Sequence, residues 1–317
     1  MTKLTQKKTQ PSLEPYLKKL ISKSRKLNDG KVADYIPELA NVDTKKTSIT
    51  VMLKGGDSHD AGDANTHKMT LQSVSKLIIL IGLLEEFGKD KVLSWVGVEP
   101  TGQDFASIKY LDWHGPKPSN PFVNSGAICL CDKIPGNLAE RWHWIDKWVT
   151  KLFNQPLYVN QSVYNSELIT GDHNRALAYL LKSTGFLNNP VESVLKTYVS
   201  LCSLEVTTRQ AAYLPALLAR SGCEFDHKPI ISSATVDVVL ALMATCGLYD
   251  ESGYNLVMTG LPAKSGVSGL IVAVALNRAG IAVASPRVDY KGGSIRGQYM
   301  LEQLSNHTKW HFANAGL

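Results

Sequence analysis

The stretch that decides the fold class is GLIVAVALNRAGIAVASP, residues 269–286. It is too apolar for a surface loop, yet Asn277 and Arg278 interrupt it. A membrane-spanning helix needs roughly 20 consecutive apolar residues, and a polar pair in the middle breaks that run. We read strand, turn and strand, with Gly280 supplying the flexibility of the turn.

The other end of the chain carries a matching signal. TSITVMLKGGDS, residues 47–58, reads as a strand over 47–53 with a Gly-Gly turn. Helical spacing lies outside and between: Leu13, Tyr16, Leu17, Leu20, Ile21 and Leu27 predict a helix over 13–27, closed by Asp29-Gly30. A second helix is expected over 71–87. A polar, proline-rich loop follows over 112–121, then mostly helix over 124–221, clearest at 176–182, 191–202 and 208–220. Residues 301–304 fall in a short closing helix.

Strands from both ends with helices between them argue against a βαβ repeat. They predict an α+β fold, an antiparallel sheet flanked by helices with an inserted helical subdomain. The expected division is a basic tail and helix over 1–28, a sheet domain from 29–100 with 225–317, and a helical subdomain over 101–224. A ligand site is expected where the last two meet.

Composition excludes several classes. Of the net charge of +6, residues 1–31 hold nine basic and two acidic side chains, so the remaining chain is close to neutral. A body that binds nucleic acid is disfavoured, and the basic segment reads as a solvated tail leading into a helix. Residues 1–12 read as disordered. The N-terminus lacks the apolar core of a secretory signal, and no membrane segment is expected. Five cysteines, an odd number without zinc spacing, read as reduced, buried thiols of a cytoplasmic protein. The eight histidines are scattered without metal spacing, so neither metal nor organic cofactor is expected. Gly102 to Phe105 shows no phosphate-loop pattern, and Trp142, Trp144 and Trp148 fit a helix face.

Chemistry enters at Ser73-Val-Ser-Lys76. With 26 Ser and 26 Lys in 317 residues, chance supplies about two S-x-x-K matches, and the other is Ser193-Val-Leu-Lys196. Context separates them. Ser193 lies inside an expected helix, whereas Ser73 sits where a polar loop enters a strongly apolar helix. Residues three apart share a helix face, so Ser73 Oγ and the Lys76 amine can meet. Free N–H groups at the helix start suit an oxyanion. The helix dipole and an apolar wall lower a lysine pKa toward that of a base. The plain alternative is a helix cap followed by a snorkelling lysine. Lys264-Ser265-Gly266, expected at the start of the strand that runs on through 270–276, is a second element that recurs with S-x-x-K in active-serine enzymes. No Ser-Asp-Asn is present, and Tyr158-Val-Asn160 is the nearest substitute.

Longer stretches carry a resemblance. They are GKVADYIPELA (30–40), GDANTHKMTLQSVSK (62–76), VGVEPTGQDF (96–105), NPFVNSGAI (120–128), SELITGDHNRALAYLLKSTG (166–185), VTTRQAAYLPALLARSG (206–222), CGLYDESG (246–253) and GLPAKSGVSGL (260–270). The chain resembles the serine-dependent glutaminases, which have a β-lactamase/penicillin-binding-protein-like fold and hydrolyse L-glutamine to L-glutamate and ammonia. The resemblance implies Ser73 as nucleophile, Lys76 as its base and Tyr249 as a proton relay. It implies an oxyanion hole from the Ser73 and Val267 N–H groups. Tyr35, Asn124, Glu167, Asn174 and Tyr198 match substrate-binding positions. A carboxylate such as Glu167 suits the ammonium of glutamine, and neutral amide and hydroxyl donors suit its carboxylate. No cofactor is implied, and a homodimer or homotetramer is.

The chain also departs from the family pattern. Ser268 and Leu270 stand in a run that is usually glycine-rich, where their bulk is expected to narrow the pocket or shift the Val267 amide. Phe122 and Ser125 replace Met and Ala, and Ala284 stands where Trp is frequent. Two other functions remain open at this point. One is a penicillin- or ester-directed acyl-serine hydrolase, and the other a catalytically silent amino-acid-binding homologue.

Overall fold

The structure is a computed structural model describing residues 13–102, 106–108, 111 and 115–314. Readings that fall on 1–12, on 103–105 and on 112–114 lie outside the described residues. A five-stranded antiparallel sheet forms from β1 (Ser48–Leu53), β2 (Ser58–Gly62), β5 (Ala263–Ser265), β6 (Leu270–Ala275) and β7 (Ala279–Ala284), in the order β2-β1-β7-β6-β5. A two-residue pair joins β3 (Met69–Thr70) to β4 (Glu205–Val206). The α+β class and the pairing of strands from the two chain ends are as read from the sequence.

Why 269–286 is apolar on both alternating faces is now plain. Leu270, Val272 and Val274 of β6 join one core with the helices Lys76–Phe87, Asn124–Lys133 and Val191–Cys202. Ile271 and Ala273 point the other way, into a second core with Leu17, Leu20 and Ile21 and with Met300, Leu301 and Leu304. A strand with both faces covered has no polar side to show, so its period-2 alternation is invisible in sequence.

Gly280 is not the turn residue. It lies in β7, paired with Val274 and Met52. The turn is closed by Arg278 N–H donating to Ala275 O at 2.9 Å, with Asn277 left-handed at φ 57°. A Cβ on Gly280 would sit 2.0 Å from the Ala216 nitrogen, so glycine is needed there to let the helix Tyr213–Ala219 lie against the sheet.

Other boundaries shift for local reasons. The segment 208–220 is two helices, Thr208–Ala211 and Tyr213–Ala219, because Pro215 has no N–H to give Ala211 O and its ring crowds that carbonyl. The first helix is Leu13–Ser24, three residues shorter than expected, and it is not a solvated element: Tyr16 stacks on His307 and bonds Gln303 O at 2.7 Å. The closing helix runs Ile295–Thr308, capped by Ser294 Oγ accepting from Gly297 N–H. Lys264 and Ser265 do not begin β6 but form the separate edge strand β5, with Lys264 opposite Val272. Four cysteines are buried, but Cys223 is half-buried. Among the described residues no single helix is long and apolar enough to cross a membrane.

Candidate active site

Ser73 and Lys76 sit at a junction rather than on one regular helix. Residues Gln72–Ser75 make a single tight 3₁₀ turn, and the α-helix Lys76–Phe87 starts immediately after it. The chain is held on entry by the β3–β4 pair and by Leu71 N–H donating to Leu204 O at 2.8 Å. Gln72 is left-handed at φ 46°, a strained conformation for a side chain of its size. Every residue from Lys76 to Leu84 is buried, so the helix is core all round, and Lys76 begins it inside the protein.

Lys76 is 1% exposed. Its Nζ donates to Phe122 O at 2.9 Å and to Asn124 Oδ1 at 2.8 Å. Burial pulls its pKa down to about 8. Among the described residues no hydrogen bond joins Ser73 Oγ to Lys76 Nζ. The two acceptors still favour a base: a neutral amine has two N–H groups and one lone pair, and Phe122 O and Asn124 Oδ1 use both N–H groups. The lone pair is left over.

Asn124, at the start of the helix Asn124–Lys133, is the hub. Its Oδ1 also accepts from Tyr198 OH at 3.2 Å, and its Nδ2 donates to Asn174 Oδ1 at 3.0 Å. That bond leaves the Asn174 amide N–H groups for a ligand. Burial raises the Tyr198 pKa far above its ordinary value, which keeps the hydroxyl a neutral donor.

A cavity of about 330 Å³ is lined by Tyr35, Gln72, Ser73, Asn124, Glu167, Asn174, Tyr198 and Val267, with Ile36, Ala106, Thr170, Gly171 and His173. Tyr35, 53% exposed, stands at its mouth. Seven residues expected to bind substrate therefore converge on one space. Lys76 and Tyr249 do not line it: Lys76 Nζ lies 5.8 Å from the Tyr249 ring centroid. Lys264, fully buried, donates to Gly247 O at 2.9 Å and Ser265 O at 2.7 Å, and lies 4.3 Å from the same ring centroid. Burial, and then the charge on Lys76, hold its pKa far below the lysine range.

Two residues that line the cavity have backbone donors without acceptors. Among the described residues neither Ser73 N–H nor Val267 N–H makes a hydrogen bond. The loop carrying Val267 comes close because residue 266 is glycine: a Cβ there would lie 2.7 Å from Leu71 O and 3.5 Å from Ser73 N. Ser268 and Leu270 do not line the cavity, so the expected narrowing is absent. Ser268 turns away to bond Thr70 O, and Leu270 enters the core.

Glu167 accepts from Gln72 Nε2 at 2.6 Å. Enclosure pushes its pKa up to about 7, the Gln72 bond opposes that, and the nearby Glu38 adds to it. A raised carboxyl ionises only above about pH 7, and the Lys76 amine loses its proton only as pH passes about 8. We therefore expect kcat/KM for an ammonium-bearing substrate to rise steadily between about pH 6 and about pH 9. A flat profile over that range would contradict both assignments.

Tyr158-Val-Asn160 lies elsewhere: Tyr158 is 74% exposed, and Asn160 caps the helix Gln161–Thr170. A larger cleft of about 490 Å³ is lined by Arg25, Lys46, Asp63 and Arg296, whose charged groups are already partnered. Arg25 and Lys46 bridge to Asp63, and Arg296 donates to backbone carbonyls. Among the described residues no three His, Cys, Asp or Glu side chains converge in a way that could hold a metal.

A model of the family described as Glutaminase matches residues 30–312. The chain belongs to the Glutaminase family. It is 53% identical over 298 residues to a glutaminase of Legionella pneumophila (strain Lens), covering 94% of this chain and 96% of that one. The solved structure of the probable glutaminase ybaS superposes with a TM-score of 0.89 at 35% identity, over 94% of this chain and 98% of that one. The probable glutaminase from Bacillus subtilis complexed with 6-diazo-5-oxo-L-norleucine gives 0.87 at 32% identity, over 98% and 99%. The fold is thus the β-lactamase-like fold of glutaminases.

Within that family site, sequence reasoning missed Gln72. It neighbours the nucleophile candidate, but a glutamine has no distinctive spacing signal, and only the left-handed turn aims it at Glu167. Glu38 was missed likewise. It bonds Ser166 Oγ at 2.8 Å and places a second carboxylate near Glu167, across 128 residues of chain.

Proposed function

We propose that this chain hydrolyses L-glutamine to L-glutamate and ammonia through an acyl-enzyme on Ser73. The observation that carries the reading is one cavity lined by an enclosed carboxylate, Glu167, and by Ser73 and Val267, whose N–H groups have no acceptor among the described residues. Glu167 receives the substrate ammonium. Asn174 and Tyr35 supply neutral donors for the substrate carboxylate, while Tyr198, its hydroxyl given to Asn124, lines the same space and Asn124 orders Asn174.

The neutral Lys76 amine takes the Ser73 proton as Oγ attacks the side-chain amide carbon. The oxyanion rests on the Ser73 and Val267 N–H groups. Collapse breaks the C–N bond, and a proton delivered through Lys76 or Tyr249 leaves with ammonia. Water then cleaves the glutamyl ester, giving its proton back through the same base.

The reading extends to a site formed between residues of 29–100 with 225–317 and residues of 101–224. It also extends to a cytoplasmic homodimer or homotetramer that binds neither nucleic acid nor membrane. The cysteine pattern supports the first of these properties and family membership the second.

The test is ammonia release from L-glutamine by wild type and by Glu167→Gln. The variant keeps the shape and loses the charge. KM is expected to rise about a hundredfold, from loss of a charge-assisted bond in an enclosed site, with kcat changed far less. A penicillin- or ester-directed hydrolase has no need of that carboxylate. Labelling of Ser73 by a β-lactam with no release of ammonia from glutamine would favour that class instead. Tight glutamine binding without ammonia release would mark a silent binder.

A further inference from the structure

The loop from Gly266 to Gly269 carries the Val267 N–H, and one side chain ties it to the segment that delivers Ser73. Ser268 is buried, and its Oγ donates to Thr70 O at 2.7 Å. Thr70 ends β3, three residues before Ser73. The loop's other hydrogen bonds run within it or back to the sheet. Gly269 N–H donates to Gly266 O at 2.9 Å, Gly266 N–H to Leu270 O at 2.8 Å, and Ser285 N–H to Gly269 O at 3.1 Å. Among the described residues, Ser268 Oγ makes the one hydrogen bond from this loop to the nucleophile side.

Thr70 is also where a second chain of contacts begins. Its Oγ1 accepts from Gln72 Nε2 at 3.3 Å, and the same amide reaches Glu167 at 2.6 Å. One residue thereby joins the loop bearing Val267, the turn bearing Ser73 and, through Gln72, the Glu167 carboxylate.

We propose that Ser268 is a positioning residue that sets the separation of the two oxyanion donors, Ser73 N–H and Val267 N–H. The inference rests on the acyl-enzyme reading above. It follows from geometry: both donors must point at one oxygen position, and each belongs to a different segment. Among the described residues no other hydrogen bond joins the two segments, so without Ser268 Oγ their separation is left to packing alone.

The experiment measures kcat, KM and Tm with glutamine for wild type, Ser268→Ala, Ser268→Gly and Ser268→Thr. Alanine and glycine are smaller than serine and leave the fold intact. Both are expected to lower kcat about tenfold while KM moves less than about twofold, because the lost alignment matters only once the oxyanion forms. Threonine retains the hydroxyl and is expected to restore kcat to within about threefold of wild type. A merely structural serine would lower Tm and leave kcat unchanged. Ala and Gly variants with wild-type kcat, or with their loss confined to KM, would overturn the proposal while leaving the glutaminase reading in place. No ammonia from wild type would overturn both.

Discussion

Ser73→Ala is expected to abolish ammonia release from L-glutamine, lowering turnover by on the order of 10⁴-fold or more. The size follows from chemistry. Without Oγ there is no covalent intermediate, and the site retains only its binding groups and oxyanion donors. The fold should not notice. Ser73 Oγ makes no hydrogen bond among the described residues, and the turn around it is held by Ser75 Oγ donating to Gln72 O at 2.7 Å. Deleting one hydroxyl that faces a cavity leaves no buried partner unpaired. Tm should stay within a few degrees of wild type. Calorimetry should show that the variant still binds glutamine, since Glu167, Asn174 and Tyr198 are untouched. Persistent turnover in folded Ser73→Ala would remove Ser73 as nucleophile and require a different attacking group.

Lys76→Met is expected to cost about 10³-fold in kcat, the scale of losing a general base, with KM nearly unchanged. Methionine fits the apolar start of the helix Lys76–Phe87, so the substitution isolates the amine. Phe122 O then loses its donor, whereas Asn124 Oδ1 keeps the Tyr198 hydroxyl. Each buried acceptor left unpaired costs about 1–3 kcal/mol, partly offset because no ammonium has to be desolvated. The informative readout is the pH profile. Wild-type kcat should climb as pH passes about 8 and the Lys76 amine deprotonates, and that limb should vanish in the variant. A limb that survives would assign it to another group. Lys264 is the neighbour to examine next, because it is equally buried and its burial also favours the neutral form.

These two residues illustrate how unevenly the site is legible. The i, i+3 spacing of Ser73 and Lys76 was plain, yet it did not distinguish them from Ser193 and Lys196, which lie in the regular helix Val191–Cys202. What differs is the local chain. The nucleophile's turn is 3₁₀, entered through a left-handed Gln72, and its lysine faces Asn124 rather than solvent. Glu167, Asn174 and Tyr198 could not be singled out by spacing at all. They became candidates only through resemblance, because each carries a common residue type at an unremarkable helical position. Gln72 escaped for a related reason, its role being a hydrogen bond across 95 residues of chain, and Ser268 was noticed for its bulk rather than for its bond across 198 residues. Gly280 was misread because a glycine beside Asn277-Arg278 looks like a turn, while its actual constraint comes from a helix more than 60 residues earlier in the chain.

By itself the sequence determined what depends on local apolar patterning and turn chemistry. That covers the α+β class, strands from both chain ends, a fully apolar helix behind Ser73, and, through long shared stretches, the family. Hydrophobic burial acts on each segment almost independently of its partners, so such features survive in one dimension. Tertiary structure alone decided which faces of β6 and β7 enter which core and where Lys264 lies. It also decided that Lys76 is dry, that enclosure raises the Glu167 pKa to about 7, and that Ser73 and Val267 line one cavity. Those properties arise from desolvation and from directional bonds between distant segments, and neither is carried by any residue until its neighbours are in place.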